Sequence, residues 1–405
     1  MGGEKMRYVF VFVESDLRGK FFYRFKNALT KKTYKLVIIT SCPTVWYRAK
    51  REGDIVYLLG SGKSKQYDSI PLEREVLEVC SGEISAMAAQ VLASYWVEKI
   101  QQIAIKYPPV LCLIYNGTTL LPYVGKWWAQ NRNIKSLFFE LANIPGKMFV
   151  DKWGTNAKSY LYSHPEILNQ YKVSDIEYKK WKNEYFGKKA TVKQAAFSSQ
   201  VQSVVLFALN HLYFACLLPG SKNKITYIRN WCCKFIKRYK SKQQQNENLP
   251  LDISTCKPYY LFPMQVTADS QVLLNSDISL IEAIGIAMKK SEQDGVKLVI
   301  KPHPAELDKT IYTKIQKLYP QAIIMNGDIK KMIREAEKII TINSTVGLES
   351  ILMGQKVEFL GRSFYQCFMK KREWLPKYIL GYLVNIDYFG TNEITGNTLE
   401  ECLRR

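Results

Sequence analysis

Val296-Lys297-Leu298-Val299-Ile300-Lys301-Pro302-His303-Pro304 decides how the chain is read. An apolar, β-branched run that ends in two prolines reads as a buried strand stopping at Lys301, with a stiff turn beyond it. Working outward, the same rhythm repeats on both sides. Residues 259–266, 322–325, 338–342 and 356–360 read as strands, and 278–290, 305–318, 329–336 and 344–353 as helices. Strands alternating with helices of this length predict a parallel sheet wound on both faces. In such sheets ligands bind beyond the carboxyl ends of the strands, so the residues where strands stop carry the information.

The N-terminal half shows a looser version of the pattern. Strands are expected at 8–13, 35–40, 110–115 and 136–141, helices at 19–29 and 71–106, and a turn-rich loop from Ala142 to Gly146. The middle differs: residues 172–248 are rich in Lys, Tyr and Gln and end in the polar stretch Lys240 to Asn246, which reads as a linker. Inside it, residues 204–218 are nearly all apolar but too short for the ~20 residues that span a bilayer. A buried interdomain helix is the ordinary reading. An interfacial helix backed by Lys222, Lys224, Arg229, Lys234, Lys237 and Arg238 is the other, giving peripheral membrane contact.

Composition narrows the function classes. The 405 residues, 47% hydrophobic, suffice for two or three domains with real cores. A net charge of +22 favours anionic partners such as phosphates, acidic sugars or anionic head groups. The cations are spread along the chain without a zinc-finger, RNA-binding or basic-zipper pattern, so no nucleic-acid partner is expected. Nine cysteines without C-x-x-C spacing, with Cys42, Cys112 and Cys216 in apolar runs expected to bury them, fit a reducing cytoplasm. The start, Met1 to Met6, carries no myristoylation signal, and the apolar run 8–13 is too short for a secretory segment.

Three strand ends in the C-terminal half carry polar residues: Gln265 to Gln271, Lys301 with His303, and Asn343-Ser344-Thr345. The last leads straight into a helix, where free amides, two hydroxyls and the helix dipole make a phosphate site, although Ser and Thr also cap helices for local reasons. Glu349 follows one turn later, placed to hold ribose hydroxyls, and Gly347 permits a close approach by a ligand or a neighbouring strand. His303, held between prolines, is suited to donate to a leaving phosphate, with Lys301 adding positive charge, although a lone His is more often structural and His164-Pro165 repeats the dipeptide outside any such strand. Asp269 is a carboxylate suited to an anomeric carbon, and equally suited to capping the helix after it.

Taken as a set, Gln265-Val266-x-x-Asp269-Ser270-Gln271, Lys301-Pro302-His303-Pro304 and Asn343-Ser344-Thr345-Val346-Gly347-Leu348-Glu349 resemble the capsular polysaccharide biosynthesis family of retaining β-Kdo glycosyltransferases. Phe139-Glu140-Leu141-Ala142-Asn143-Ile144-Pro145-Gly146 and Val150 to Ala157 look like that family's acceptor-domain segments. The resemblance implies an α/β, GT-B-like fold: two Rossmann-like domains with a cleft between them and a site that uses neither metal nor cofactor. The donor it implies is CMP-Kdo, the activated form of an acidic eight-carbon keto sugar, and the acceptor a lipid-linked or oligosaccharide one at the inner face of the bacterial inner membrane. Carried over position by position, Asp269 matches the nucleophile, His303 and Pro304 the motif that meets the CMP phosphate, Ser344 and Thr345 the phosphate binders, and Glu349 the nucleotide-facing carboxylate. Glu140 is the candidate for acceptor handling, and Asp151 and Asn156 are expected to be structural. Gln265, Gln271, Lys301 and Asn343 complete the expected donor contacts. The expected domains are 1–171 for the acceptor, 172–258 as a basic helical connection, 259–361 for the CMP-sugar, and 362–405 packing back. A CMP-sialic-acid transferase and a non-catalytic carbohydrate-binding subunit are the competing readings.

Overall fold

The computed structural model describes residues 6–64, 70–187, 201–243, 253–306 and 308–405. The start of the chain up to Lys5 and the Gln244 to Asn246 part of the polar stretch lie outside the described residues, as do the side chains of Lys237 and Arg238. The chain divides into two compact units, Met1–Arg229 with Trp374–Arg405, and Asn230–Glu373. These are not the expected boundaries. Residues 172–229 of the expected connection belong to the first unit, because Ala215, Leu217, Leu218 and Tyr227 are buried in its core. The dividing point falls inside a helix, Ser221–Gln243.

The first unit is built on six strands, β1 (Arg7–Val13), β2 (Tyr34–Thr40), β3 (Ile55–Leu58), β4 (Pro109–Tyr115), β5 (Ser136–Leu141) and β6 (Met148–Asp151), in the order β3-β2-β1-β4-β5-β6. All neighbours are parallel except β5 and β6. The central strands are buried on both faces, which is why they read as unbroken apolar runs. Phe10 and Phe12 face one layer, with helices α3 (Ala86–Lys106) and α4 (Leu120–Gln130); Val9, Val11 and Val13 face the other, with α1 (Asp16–Tyr23) and α2 (Pro43–Arg51). Leu399 and Cys402 of the C-terminal helix complete that second layer. Helix α4 contains Pro122 and Gly125, poor helix formers in its sequence. Pro122 sits in the first turn, where its missing N–H costs nothing, and a Cβ on Gly125 would lie 2.6 Å from the Phe12 ring.

The long helix expected over 71–106 begins only at Ala86, where the Ser85 hydroxyl accepts from the Ala88 N–H at 3.2 Å. Upstream, Gly82 at φ +69° stops the short helix Leu77–Cys80. Residues 19–29 likewise split into α1 and Lys26–Thr30. The apolar middle segment is helix α5 (Val201–Leu217), followed by α6 (Ser221–Gln243). No described helix is long and apolar enough to cross a membrane. Cys42 and Cys112 are buried, but Cys216, expected to be, is exposed on the outer side of α5.

The second unit has five parallel strands, β7 (Tyr259–Pro263), β8 (Lys297–Lys301), β9 (Ile323–Ile324), β10 (Lys338–Thr341) and β11 (Val357–Phe359), in the order β11-β10-β7-β8-β9. Its helices include α7 (Ser270–Asn275), α8 (Leu280–Gln293), α9 (Thr310–Leu318), α10 (Ile329–Glu335) and α11 (Thr345–Leu352). Both units thus use the Rossmann order, each middle strand flanked by its sequence successor on one side and its fourth strand on the other.

Asp151, at the end of β6, is 1% exposed and holds the first unit together locally. Its carboxylate accepts from the N–H groups of Trp153, Gly154, Tyr160 and Leu161 and from the Tyr382 hydroxyl, all at 2.8–3.2 Å. Removing it strands five donors, so Asp151→Ala should lose at least about 3 kcal/mol of stability. Chemical denaturation of the two proteins measures this directly, and a loss within error of zero would contradict the bracing role.

Candidate active site

In each sheet the chain reverses its direction of winding between two middle strands, and a crevice opens at their carboxyl ends. In the second unit these strands are β7 and β10, which end at Pro263 and Thr341. Gln265 and Asn343, just beyond, are 5% and 6% exposed and bonded reciprocally across the gap. The Gln265 Nε2 donates to Asn343 Oδ1 at 2.9 Å, and the Asn343 N–H donates to Gln265 Oε1 at 3.1 Å. Asn343 Nδ2 also donates to the Gln271 carbonyl at 2.8 Å, while the Gln271 side chain accepts from Asn275. These three side chains were expected to contact the donor. Gln265 and Asn343 are occupied with each other and the Gln271 side chain with Asn275, and these bonds brace the loops.

Around this brace the structure gathers Asp269, His303 and Ser344. Asp269 caps α7, one carboxylate oxygen accepting from the Gln271 N–H at 2.8 Å. Ser344 caps α11 by accepting from the Val346 N–H at 3.2 Å, with Thr345 exposed at the first helical position and Glu349 half-buried one turn on. The close approach foreseen for Gly347 is to the sheet: a Cβ there would lie 2.5 Å from the Phe359 ring. His303 Nδ1 accepts from the Ala305 N–H at 3.1 Å, so a neutral ring carries its proton on Nε2. Pro304 is exposed, and Lys301 is half-buried at the end of β8.

Burial lowers the His303 pKa, opposed by the Asp269 and Glu306 carboxylates. Burial also raises the Asp269 carboxyl, opposed by the Gln271 N–H and by His303. Lys301 is lowered by burial, with Asp328 working against it. Asp269 and His303 are therefore electrostatic neighbours, both partly desolvated, at the strand ends. Glu306, 3% exposed, fixes their two loops together: one oxygen accepts from the Thr267 N–H and hydroxyl at 2.8 and 2.6 Å, the other from the Asp308 N–H. No group of three or more metal-ligating side chains occurs among the described residues.

The first unit has its own crevice at the ends of β1, β2 and β4, a cavity of about 650 Å³ roofed by α5. Its floor carries paired charges: Arg48 with Asp16 at 3.1 Å, and Arg18 with Glu14. From the roof, Asn210 donates to Asp16 at 3.1 Å, and His211 bonds the Tyr227 hydroxyl at 2.7 Å. Glu78 accepts from the Leu120 N–H at the start of α4, and burial pushes its carboxyl up to about 7. Glu140, the expected acceptor residue, is half-buried on β5 and is not in the lining. Its carboxylate adds to the burial that raises the Tyr115 phenol, which is in the lining. Glu140 thus belongs to the first unit, and Asp269 and His303 to the second.

The sequence model of the capsule polysaccharide biosynthesis proteins matches residues 126–368, more than half of the chain. This chain belongs to that family. Protein FixF of Sinorhizobium fredii is 35% identical over 121 residues, 29% of this chain and 29% of that protein. The capsule polysaccharide export protein KpsS of Escherichia coli is 23% identical over 260 residues, 60% of this chain and 64% of that protein. The chain therefore covers less than two thirds of the length of either relative. Among solved structures, Thermosulfurimonas dismutans KpsC, β-Kdo 2,7 transferase, is similar at 14% identity over 98% of this chain and 100% of that one, with a TM-score of 0.46. Thermosulfurimonas dismutans KpsC, β-Kdo 2,4 transferase, is similar at 14% identity over 73% and 87%, with a TM-score of 0.40.

As a member of the capsule family, the chain keeps its brace, its Asp269–His303 pair and Ser344 inside the matched stretch. Sequence reading missed Glu306, whose signal was an acid three residues beyond His303 in a turn, and missed the first unit's cavity with Glu78. Because the folded Glu78 holds its proton to about 7 against an ordinary 4.5, the folded state binds more protons across that window. The contribution of Glu78 to stability should be greatest below 4.5 and fall as pH rises toward 7, by about 1–3 kcal/mol given the side chain's partial access to solvent. Urea unfolding of wild type and Glu78→Gln from pH 5 to 8 tests this: the variant should lose that part of the slope, and identical slopes would refute it.

Proposed function

We propose that this capsule-family protein is a glycosyltransferase that moves β-Kdo from CMP-Kdo to a saccharide or lipid-linked acceptor in capsule or surface polysaccharide biosynthesis. The observation that carries the reading is the meeting of Asp269, His303 and the capped start of α11 at the winding reversal of the second unit. The nine free cysteines and the net charge of +22 support action in the cytoplasm, at the inner face of the inner membrane, on anionic molecules.

In the first half-reaction the free carboxylate oxygen of Asp269 attacks the anomeric carbon of Kdo. The bond from that carbon to the CMP phosphate oxygen breaks, and CMP leaves with the electron pair. The His303 Nε2–H and the positive end of the α11 dipole, with the Ser344 and Thr345 hydroxyls, meet the negative charge gathering on the phosphate. Lys301 adds positive charge nearby, and Glu349 holds ribose hydroxyls. In the second half-reaction an acceptor hydroxyl attacks the same carbon from the opposite side, its proton passing to solvent water as the bond from that carbon to Asp269 breaks and the carboxylate is released. Two inversions give net retention. The acceptor is held by the first unit, whose cavity offers hydroxyl-binding groups in the paired charges of its floor and in Asn210 and His211.

Incubation with CMP-Kdo and a panel of lipid-linked acceptors, followed by mass and linkage analysis, tests the reading. Wild type should release CMP and yield a β-linked product, and trapped protein should carry a Kdo adduct on Asp269. Asp269→Ala should abolish the adduct and slow turnover by about a thousandfold or more, and His303→Ala by about a hundredfold or more. A fully active Asp269→Ala protein would remove the nucleophile, and turnover of CMP-sialic acid instead would move the donor.

A further inference from the structure

Helix α5 is inverted relative to an ordinary surface helix. Among its described residues the polar Asn210 and His211 face inward, bonded to Asp16 and Tyr227 in the cavity lining. The face turned away from the protein is Val205, Leu209, Leu212 and Cys216, spaced four, three and four residues apart and so aligned along one stripe. These residues are exposed, Val205 at 52%, Leu209 at 50% and Leu212 at 46%, with Leu206 alongside at 42%. The following helix adds Ile225, 65% exposed, together with exposed Lys222 and Arg229. A contiguous apolar stripe of this kind on a monomer marks a surface that something covers.

Charge identifies the occupant. From Val201 to Gln243 the chain has eight Lys and Arg and no Asp or Glu. A second copy would bring two such segments together and repel, whereas an anionic surface complements both the stripe and the cations beside it. With 17 residues, α5 is about 25 Å long, shorter than a bilayer's hydrocarbon core, so it fits lying in the head-group boundary and not crossing it.

We propose that the outer stripe of α5 and the basic start of α6 form a docking surface for an anionic lipid bilayer. Leu206 borders both the stripe and the cavity, so the docked helix brings the cavity within reach of the head-group layer. The docking does not depend on which sugar the second unit handles.

Sedimentation of the full chain with vesicles tests it, using phosphatidylcholine alone and a mixture of about three parts phosphatidylcholine to one part phosphatidylserine. Binding to the mixture should exceed that to the neutral vesicles about tenfold or more. The Val205→Gln/Leu209→Gln/Leu212→Gln protein should lose about tenfold in binding with its unfolding temperature unchanged, since these side chains are exposed. Lys222→Gln/Lys224→Gln/Arg229→Gln, which leaves the stripe intact, should weaken binding to the anionic vesicles alone. The proposal is overturned if wild type stays in the supernatant with anionic vesicles or if the stripe variant binds as wild type does. It is overturned equally if light scattering shows a wild-type dimer that the stripe variant converts to a monomer, because a second copy would then be the occupant.

Discussion

Parallel strands are joined by crossovers of one hand, so a sheet that grows outward in both directions from its middle must send successive helices to opposite faces. The gap left where the winding reverses is the constraint on which both units depend, and they treat it differently. In the second, the gap between β7 and β10 is bridged by the Gln265 and Asn343 amides. In the first, the end of β1 carries charged residues, and the gap stays open as a cavity under α5.

The bridge has consequences beyond its own two hydrogen bonds. Each bond contributes only about 1 kcal/mol net, but a buried amide left without its partner costs about 1–3 kcal/mol, so neither residue can be lost alone cheaply. Through Asn343 the end of β10 is tied to the first turn of α7, which Asp269 caps. Through Glu306 the loop after β8 is tied to Thr267 in the loop after β7. Asp269 and His303 are thereby placed by two independent ties, both built from buried polar groups that satisfy loop backbone where the strands have stopped.

Much of this architecture was legible in the sequence because burial on both faces makes a strand an unbroken apolar run, as in β1, β4, β7, β8 and β10. The half-buried edge strand β3 is also an apolar run, Ile55–Leu58, but at four residues it is too short to stand out, and α4 hides behind Pro122 and Gly125, residues justified only by the first turn and by Phe12. Helix starts moved where a local cap outcompeted propensity, at Ser85 above all. At the site, the strand-end residues were found, but their division into braces and chemical groups was not, because Gln265 and Asn343 meet over a separation of 78 residues. For α5, apolar content was plain, while the face that turns inward depends on Asp16 and Tyr227 being there to receive Asn210 and His211.

The state of His303 follows from the same ties. Its Nδ1 is held as an acceptor by the Ala305 N–H, which a doubly protonated ring could not accommodate. Burial favours the uncharged ring as well, against the pull of Asp269 and Glu306. A neutral imidazole presenting Nε2–H forms no ion pair with Asp269 that an arriving anion would have to break. It remains a donor, and the Asp269 carboxylate keeps an oxygen that capping does not use. The loop geometry thus keeps a hydrogen-bond donor and a carboxylate side by side without allowing them to neutralise each other, which is the condition a site needs to receive a phosphate at one and an electrophilic carbon at the other.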